Sequence, residues 1–118
     1  MVNKQIKLIA STIGKTLNPK MIYLFGSYAR GDYNEHSDYD FYVVMPGAKK
    51  IPIEEAAKAY SCLDGMKRRP MDIVVNNEAM FAKRREWLNT LENTVAREGI
   101  VVYPRKRSVK KKKPRTGT

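Results

Sequence analysis

Leu24–Val44 reads LFGSYARGDYNEHSDYDFYVV, apolar at both ends and polar between. Met21–Phe25 is a short continuous apolar run and predicts a central strand buried on both faces. The run stops at Gly26-Ser27. Ten polar, turn-rich residues follow Ser27 before Asp38, and the chain becomes apolar again at Phe41–Val44. Asp38 and Asp40, two apart at the start of a predicted strand Tyr39–Val44, point to one face. Carboxylates beside Phe41, Val43 and Val44 are costly to bury unless cations neutralise them. Magnesium commonly takes one or two carboxylates and completes its shell with water and substrate phosphate. Gly26 lets a ligand approach the backbone closely. Ser27 offers a hydroxyl and an N–H where a short helix, Tyr28–Arg30, would begin and favour an anion. One stretch therefore pairs metal-binding acids with an anion-binding turn.

Outward from this stretch, Ile6, Ile9, Ile13 and Leu17 recur at helical spacing and predict an amphipathic helix over 4–17. Asn18-Pro19 ends it. Pro46-Gly47 closes the second strand, and 48–52 is a basic connection. Ala56, Tyr60, Leu63 and Met66 form the stripe of a second helix, with Glu54 and Glu55 in its first turn and Gly65 at its end. Lys67, Arg68 and Arg69 read as a solvated connector. Met71–Val75 is a third strand carrying one acid, Asp72. Asn76 or Asn77 caps a helical pattern that runs to Glu98, with a stripe of Leu88, Leu91 and Val95, a break near Lys83-Arg84, and Gly99 at the C′ position. Ile100–Tyr103 is the last strand. The order α-β-β-α-β-α-β predicts an α/β (α+β) fold, a small mixed sheet with helices packed on it.

Asp72 in an apolar run needs a partner. If its strand lies beside Tyr39–Val44, the three acids converge. Three carboxylates with a phosphate can hold two magnesium ions about 3.5–4 Å apart, the arrangement of metal-assisted nucleotidyl transfer. No protein nucleophile or basic histidine is then required, and His36 reads as a solvated loop residue. Arg30 either buttresses the loop or touches phosphate. Trp87 reads as core or partner interface, and Cys62 as a small buried apolar residue.

The 118 residues suit one domain, 1–103, followed by a basic and disordered tail, 104–118. The formal charge of +11 is mostly the tail's, which holds eight Lys/Arg and no acid. Nucleic-acid binding argued from charge would therefore be argued from residues 105–115 alone. A lone cysteine fits a reducing compartment. No apolar run approaches the ~20 residues of a membrane span, so a soluble, cytoplasmic protein with no membrane partner is expected.

The pattern Gly26-Ser27, ten residues, Asp38-x-Asp40, with Asp72 on a later strand, resembles the DNA polymerase β nucleotidyltransferase superfamily. GSYARGDYNEHSDYDFYVV, MDIVV and REGIVVY are similar to its minimal nucleotidyltransferase (MNT) branch over about residues 5–103. The resemblance implies the polymerase β-like fold, with Gly26 and Ser27 on the nucleotide triphosphate. It implies Asp38, Asp40 and Asp72 as the catalytic acids binding magnesium, two ions in all, with Arg30 a candidate on the nucleotide. It further implies ATP as substrate and a HEPN-family toxin as partner. The chain would then be the antitoxin, transferring AMP to a tyrosine of that toxin. The basic tail departs from the family pattern and takes no function from it. Two other readings compete: a non-catalytic module that neutralises its partner by contact, which the filled acidic positions argue against, and nucleic-acid binding through the tail.

Overall fold

The structure, a computed structural model, describes residues 2–66 and 69–104. Lys67, Arg68 and the tail from Arg105 onward lie outside the described residues. Helix α1 spans Lys4–Leu17, capped by Asn3, whose side chain accepts the Ile6 N–H at 2.8 Å. It ends at Asn18 in the left-handed region (φ 53°), whose N–H returns to the Gly14 carbonyl. Then follow β1 (Met21–Phe25), α2 (Ser27–Arg30), β2 (Tyr39–Met45), α3 (Ile53–Ser61) and β3 (Met71–Asn77). Helices α4 (Glu78–Arg84) and α5 (Leu91–Glu98) and strand β4 (Ile100–Tyr103) complete the described chain.

The four strands form one mixed sheet in the order β3-β2-β1-β4. Strand β1 is antiparallel to both neighbours, and β2 is parallel to β3. Alternation along β2 divides the core in two. Tyr39, Phe41 and Val43 face the stripe Ile6, Ile9, Ile13 and Leu17 of α1, together with Ala59 and Leu63 of the α3 region. On the other face Tyr42 and Val44 pack with Phe81 of α4 and Val95 of α5. The architecture is the expected α/β one, a small mixed sheet with helices on it. Among the described residues no helix is long and apolar enough to cross a membrane.

Several local readings are refined. The second helix stops at Ser61 and continues as turns to Met66. Ala59 is its most buried residue, while Tyr60 is exposed and its hydroxyl accepts the Ile73 N–H of the edge strand β3 at 2.9 Å. The helical pattern after Asn77 breaks where expected, with α4 ending at Arg84, and resumes as α5 only after residues 85–90. Thr90 makes the break: its hydroxyl donates to the Arg84 carbonyl (2.7 Å) and accepts the Asn93 N–H (3.0 Å), ending one helix and capping the next. Leu88 thereby leaves the predicted stripe and is 81% exposed, and Trp87 is half exposed rather than core. Gly99 follows α5 in extended geometry (φ −71°), not as a left-handed cap. A Cβ there would strike the Val95 carbonyl and crowd the Tyr23 ring, so close approach selects glycine.

Candidate active site

Topology gathers the motif at one edge of the sheet. Because β1 is antiparallel to β2 and β2 parallel to β3, the end of β1 meets the starts of β2 and β3. Phe25 pairs with Asp40, and Asp40 pairs with Asp72. Register partners on neighbouring strands project to the same face. Here that is the face of Tyr42, Val44 and Val74, which α4 and α5 cover farther along the strands. At the strand ends Asp72 is exposed and Asp40 is half-buried; Asp38, one residue before β2, is exposed.

Gly26 closes the other side. Its backbone sits at φ 76° and ψ −154°, and a Cβ there would collide with the Asp40 carboxylate, whose Cγ would lie 3.2 Å away. Glycine is what lets the end of β1 rest against that carboxylate. Ser27 opens α2, whose Ala29 and Arg30 N–H groups both close on the Gly26 carbonyl at 3.1 and 3.0 Å.

Burial first, then the charges of Asp72 and Asp38, hold the Asp40 carboxyl above the usual aspartate range, with Arg30 pulling the other way. The three acids therefore share one electrostatic environment. Arg30 donates to Asp32 at 3.1 Å and lies 3.9 Å from Glu98. These are the contacts of a buttress. His36 is an exposed loop residue beside Glu35 (3.5 Å).

Among the described residues no three His, Cys, Asp or Glu side chains close on a common point as a metal cage. The candidate donors are Asp40 and Asp72 in register, with Asp38 preceding the strand. Their mutual repulsion and their oxygen chemistry fit a hard divalent cation that shares its shell with water and phosphate rather than one enclosed by protein.

Two features escaped the sequence reading. Arg69 is not a solvated connector. Its guanidinium lies 4.9 Å from the Tyr39 ring centroid and 5.5 Å from that of Tyr28, and it donates to the Tyr28 hydroxyl and to the Ser37 carbonyl (3.4 Å). Three tyrosines around the motif, Tyr28, Tyr33 and Tyr39, hinted at such a cluster, but nothing in the order of residues brings Arg69 among them. Below the acids, the Tyr42 hydroxyl donates to Glu92 at 2.6 Å and Arg84 donates to the other carboxylate oxygen at 2.9 Å.

Comparison with known proteins places this geometry among relatives. Residues 4–112 match the family described as "Nucleotidyltransferase domain". A "putative protein adenylyltransferase" of Methanocaldococcus jannaschii is 34% identical over 84 residues, covering 71% of this chain and 78% of the relative. The crystal structure of a "putative nucleotidyltransferase" from Sulfolobus solfataricus aligns over 83% of this chain and 76% of its own, with a TM-score of 0.56. At 23% identity it speaks for the fold alone. A toxin–antitoxin crystallised with AMP-PNP is 26% identical, aligning over 82% of this chain and 72% of that chain with a TM-score of 0.52.

Proposed function

This chain belongs to the nucleotidyltransferase domain family, and from that membership we propose that it is a metal-dependent protein adenylyltransferase. The observation that carries the reading is the Asp40–Asp72 register pair with Gly26 lying against Asp40. Gly26 and Ser27 receive the triphosphate. Asp38, Asp40 and Asp72 hold magnesium, and Arg30 orders the loop or touches phosphate. Bound magnesium supplies charge neutralisation for the triphosphate and the departing pyrophosphate and lowers the pKa of the attacking hydroxyl. The acceptor oxygen bonds to the α-phosphorus, the bond from that phosphorus to the bridging oxygen breaks, pyrophosphate leaves, and the hydroxyl proton passes to solvent. Positioning by the chain's own residues is the remaining contribution.

ATP as donor is supported by the similarity to an adenylyltransferase and to a toxin–antitoxin crystallised with AMP-PNP. The latter also supports a toxin as partner, and we assign the acceptor to a tyrosine of a HEPN-family toxin in the cytoplasm, with this chain as antitoxin. The test is to incubate the chain with each of the four ribonucleoside triphosphates, magnesium and such a toxin, and to read intact masses. One AMP added to the toxin from ATP, abolished by EDTA and reduced at least ~100-fold in Asp72→Asn, is the expected result. Neutralisation of the toxin with no mass change from any nucleotide would reject the transferase and favour contact alone.

A further inference from the structure

Four segments must meet for the candidate site to exist: the turn before α2, the loop ending at Ser37, the start of β2 and the start of β3. One side chain, on the lead into β3, touches the residue that follows the turn, the end of the loop and the start of β2. Arg69 stands three residues before Asp72 on the lead into β3. Its guanidinium donates to the hydroxyl of Tyr28, which is the second residue of α2 and follows Ser27 directly. It donates to the carbonyl of Ser37, immediately before Asp38. It also lies over the ring of Tyr39, the residue between Asp38 and Asp40.

Tyr39 is the hinge of this arrangement. Its ring is buried on the α1 face, with its hydroxyl donating to Gln5 at 2.9 Å. Alternation then sends Asp40 to the opposite face. The Tyr39 N–H donates to the Pro70 carbonyl at 3.1 Å, joining the start of β2 to the residue after Arg69 and setting the register that pairs Asp40 with Asp72. Tyr28 packs edge-on against Tyr39 (4.8 Å) and stacks on Tyr33 of the loop (4.2 Å). A guanidinium is suited to this place. It is planar, so it stacks flat over aromatic faces while one terminal nitrogen, Nη2, donates both to the Tyr28 hydroxyl and to the Ser37 carbonyl; a flexible lysine ammonium lacks that planar face.

We infer that Arg69 is the positioning residue of the site: from the face opposite the acids it locks the Gly26-Ser27 turn, Asp38-Tyr39-Asp40 and the strand of Asp72 into one arrangement. It is not a group that touches the nucleotide. The inference rests on reading Gly26, Ser27, Asp38, Asp40 and Asp72 as one site. Displacement of reacting groups by about 1 Å can lower turnover about 100-fold, so the effect falls on kcat rather than on nucleotide capture.

The test uses the full chain with Arg69→Ala and Arg69→Lys, each followed by thermal unfolding, steady-state transfer from Mg-ATP, and Mn2+ titration calorimetry. Both variants are expected to unfold cooperatively. In Arg69→Ala kcat falls about 100-fold while KM for Mg-ATP moves much less, and low, non-denaturing guanidinium restores part of the rate. The same guanidinium does nothing for Asp72→Asn. Arg69→Lys remains impaired although its charge is kept. Wild-type kcat in Arg69→Ala, or a loss of rate that follows the loss of folded protein and resists guanidinium, overturns the inference. If the wild-type chain transfers no nucleotide, the proposed function fails on its own. Weaker Mn2+ binding by Arg69→Ala would then still support Arg69 as the positioning residue, whereas equal affinity, or no Mn2+ binding by the wild-type chain, would overturn it.

Discussion

Gly26 occupies a backbone region, φ 76° and ψ −154°, that is open in practice to glycine alone. Gly26→Ala is expected to lower stability by about 1–3 kcal/mol in urea unfolding and to reduce transfer at least ~10-fold by displacing Asp40. An alanine variant with unchanged midpoint and rate would contradict the packing of Gly26 on Asp40. Asp40 itself works against the fold. Burial, Asp72 and Asp38 raise its folded pKa above that of the unfolded chain. The folded state therefore binds the proton more tightly, and the penalty is complete above the folded pKa and vanishes once pH falls below the unfolded aspartate value. In metal-free buffer Asp40→Asn should match or exceed the wild-type thermal midpoint at neutral pH, with the advantage shrinking as acid is added. A lower midpoint at neutral pH would mean that a cationic partner already neutralises the carboxylate. That Gly26-Ser27 is a turn, and that Asp38, Asp40 and Asp72 stand at strand starts, was legible from local pattern, because a turn and a strand have fixed geometry. That Gly26 meets Asp40, and that Arg69 sits behind both, depends on strand pairing.

Helices α4 and α5 are joined to the sheet by one polar cluster. Glu92 is only 5% exposed. Desolvation alone would raise its carboxyl, but the hydrogen bonds from Tyr42 and Arg84 outweigh it and hold the group below the usual glutamate range. Burial and the neighbouring Glu92 push the Tyr42 phenol upward, so it remains a protonated donor at neutral pH. Tyr42→Phe should cost about 1–2 kcal/mol at neutral pH by leaving a buried acceptor underused. A depressed folded pKa contributes stability above the unfolded pKa that is lost as pH falls through the folded one. The difference between Tyr42→Phe and wild type, measured by urea unfolding, should therefore narrow in acid. A gap that stays constant would mean that the hydroxyl contributes without Glu92. Helix α1 and strands β1 and β4 follow directly from hydrophobic period. The break near Lys83-Arg84 was legible but its length was not, because Leu88, Leu91 and Val95 are compatible with a helix that resumes at once; the Thr90 hydroxyl, bonded to the Arg84 and Trp87 carbonyls and to the Asn93 N–H, decides it.

At the scale of the molecule, the charge lies outside the described fold. Residues 105–118 carry eight Lys/Arg and none of the motif. Deleting them should leave transfer from Mg-ATP within about twofold of wild type and lower affinity for nucleic acid. The slope of log K against log salt should flatten as phosphate contacts are lost, by about 0.9 per contact for duplex DNA. Fluorescence anisotropy across a salt series checks this, and loss of transfer in the truncated chain would place the tail in the reaction. The sequence by itself determined the order of elements, the acids and the glycine-serine turn, because hydrophobic period and turn chemistry are local properties of consecutive residues. Only the tertiary structure decided that β3 lies parallel beside β2, which puts Asp72 next to Asp40, that Arg69 enters the tyrosine cluster, and that Glu92 is buried under Tyr42. Those contacts join residues 32, 41 and 50 positions apart in the cases of Asp72, Arg69 with Tyr28, and Glu92. Local pattern leaves such contacts open; strand register and the packing of helices on the two faces select among them.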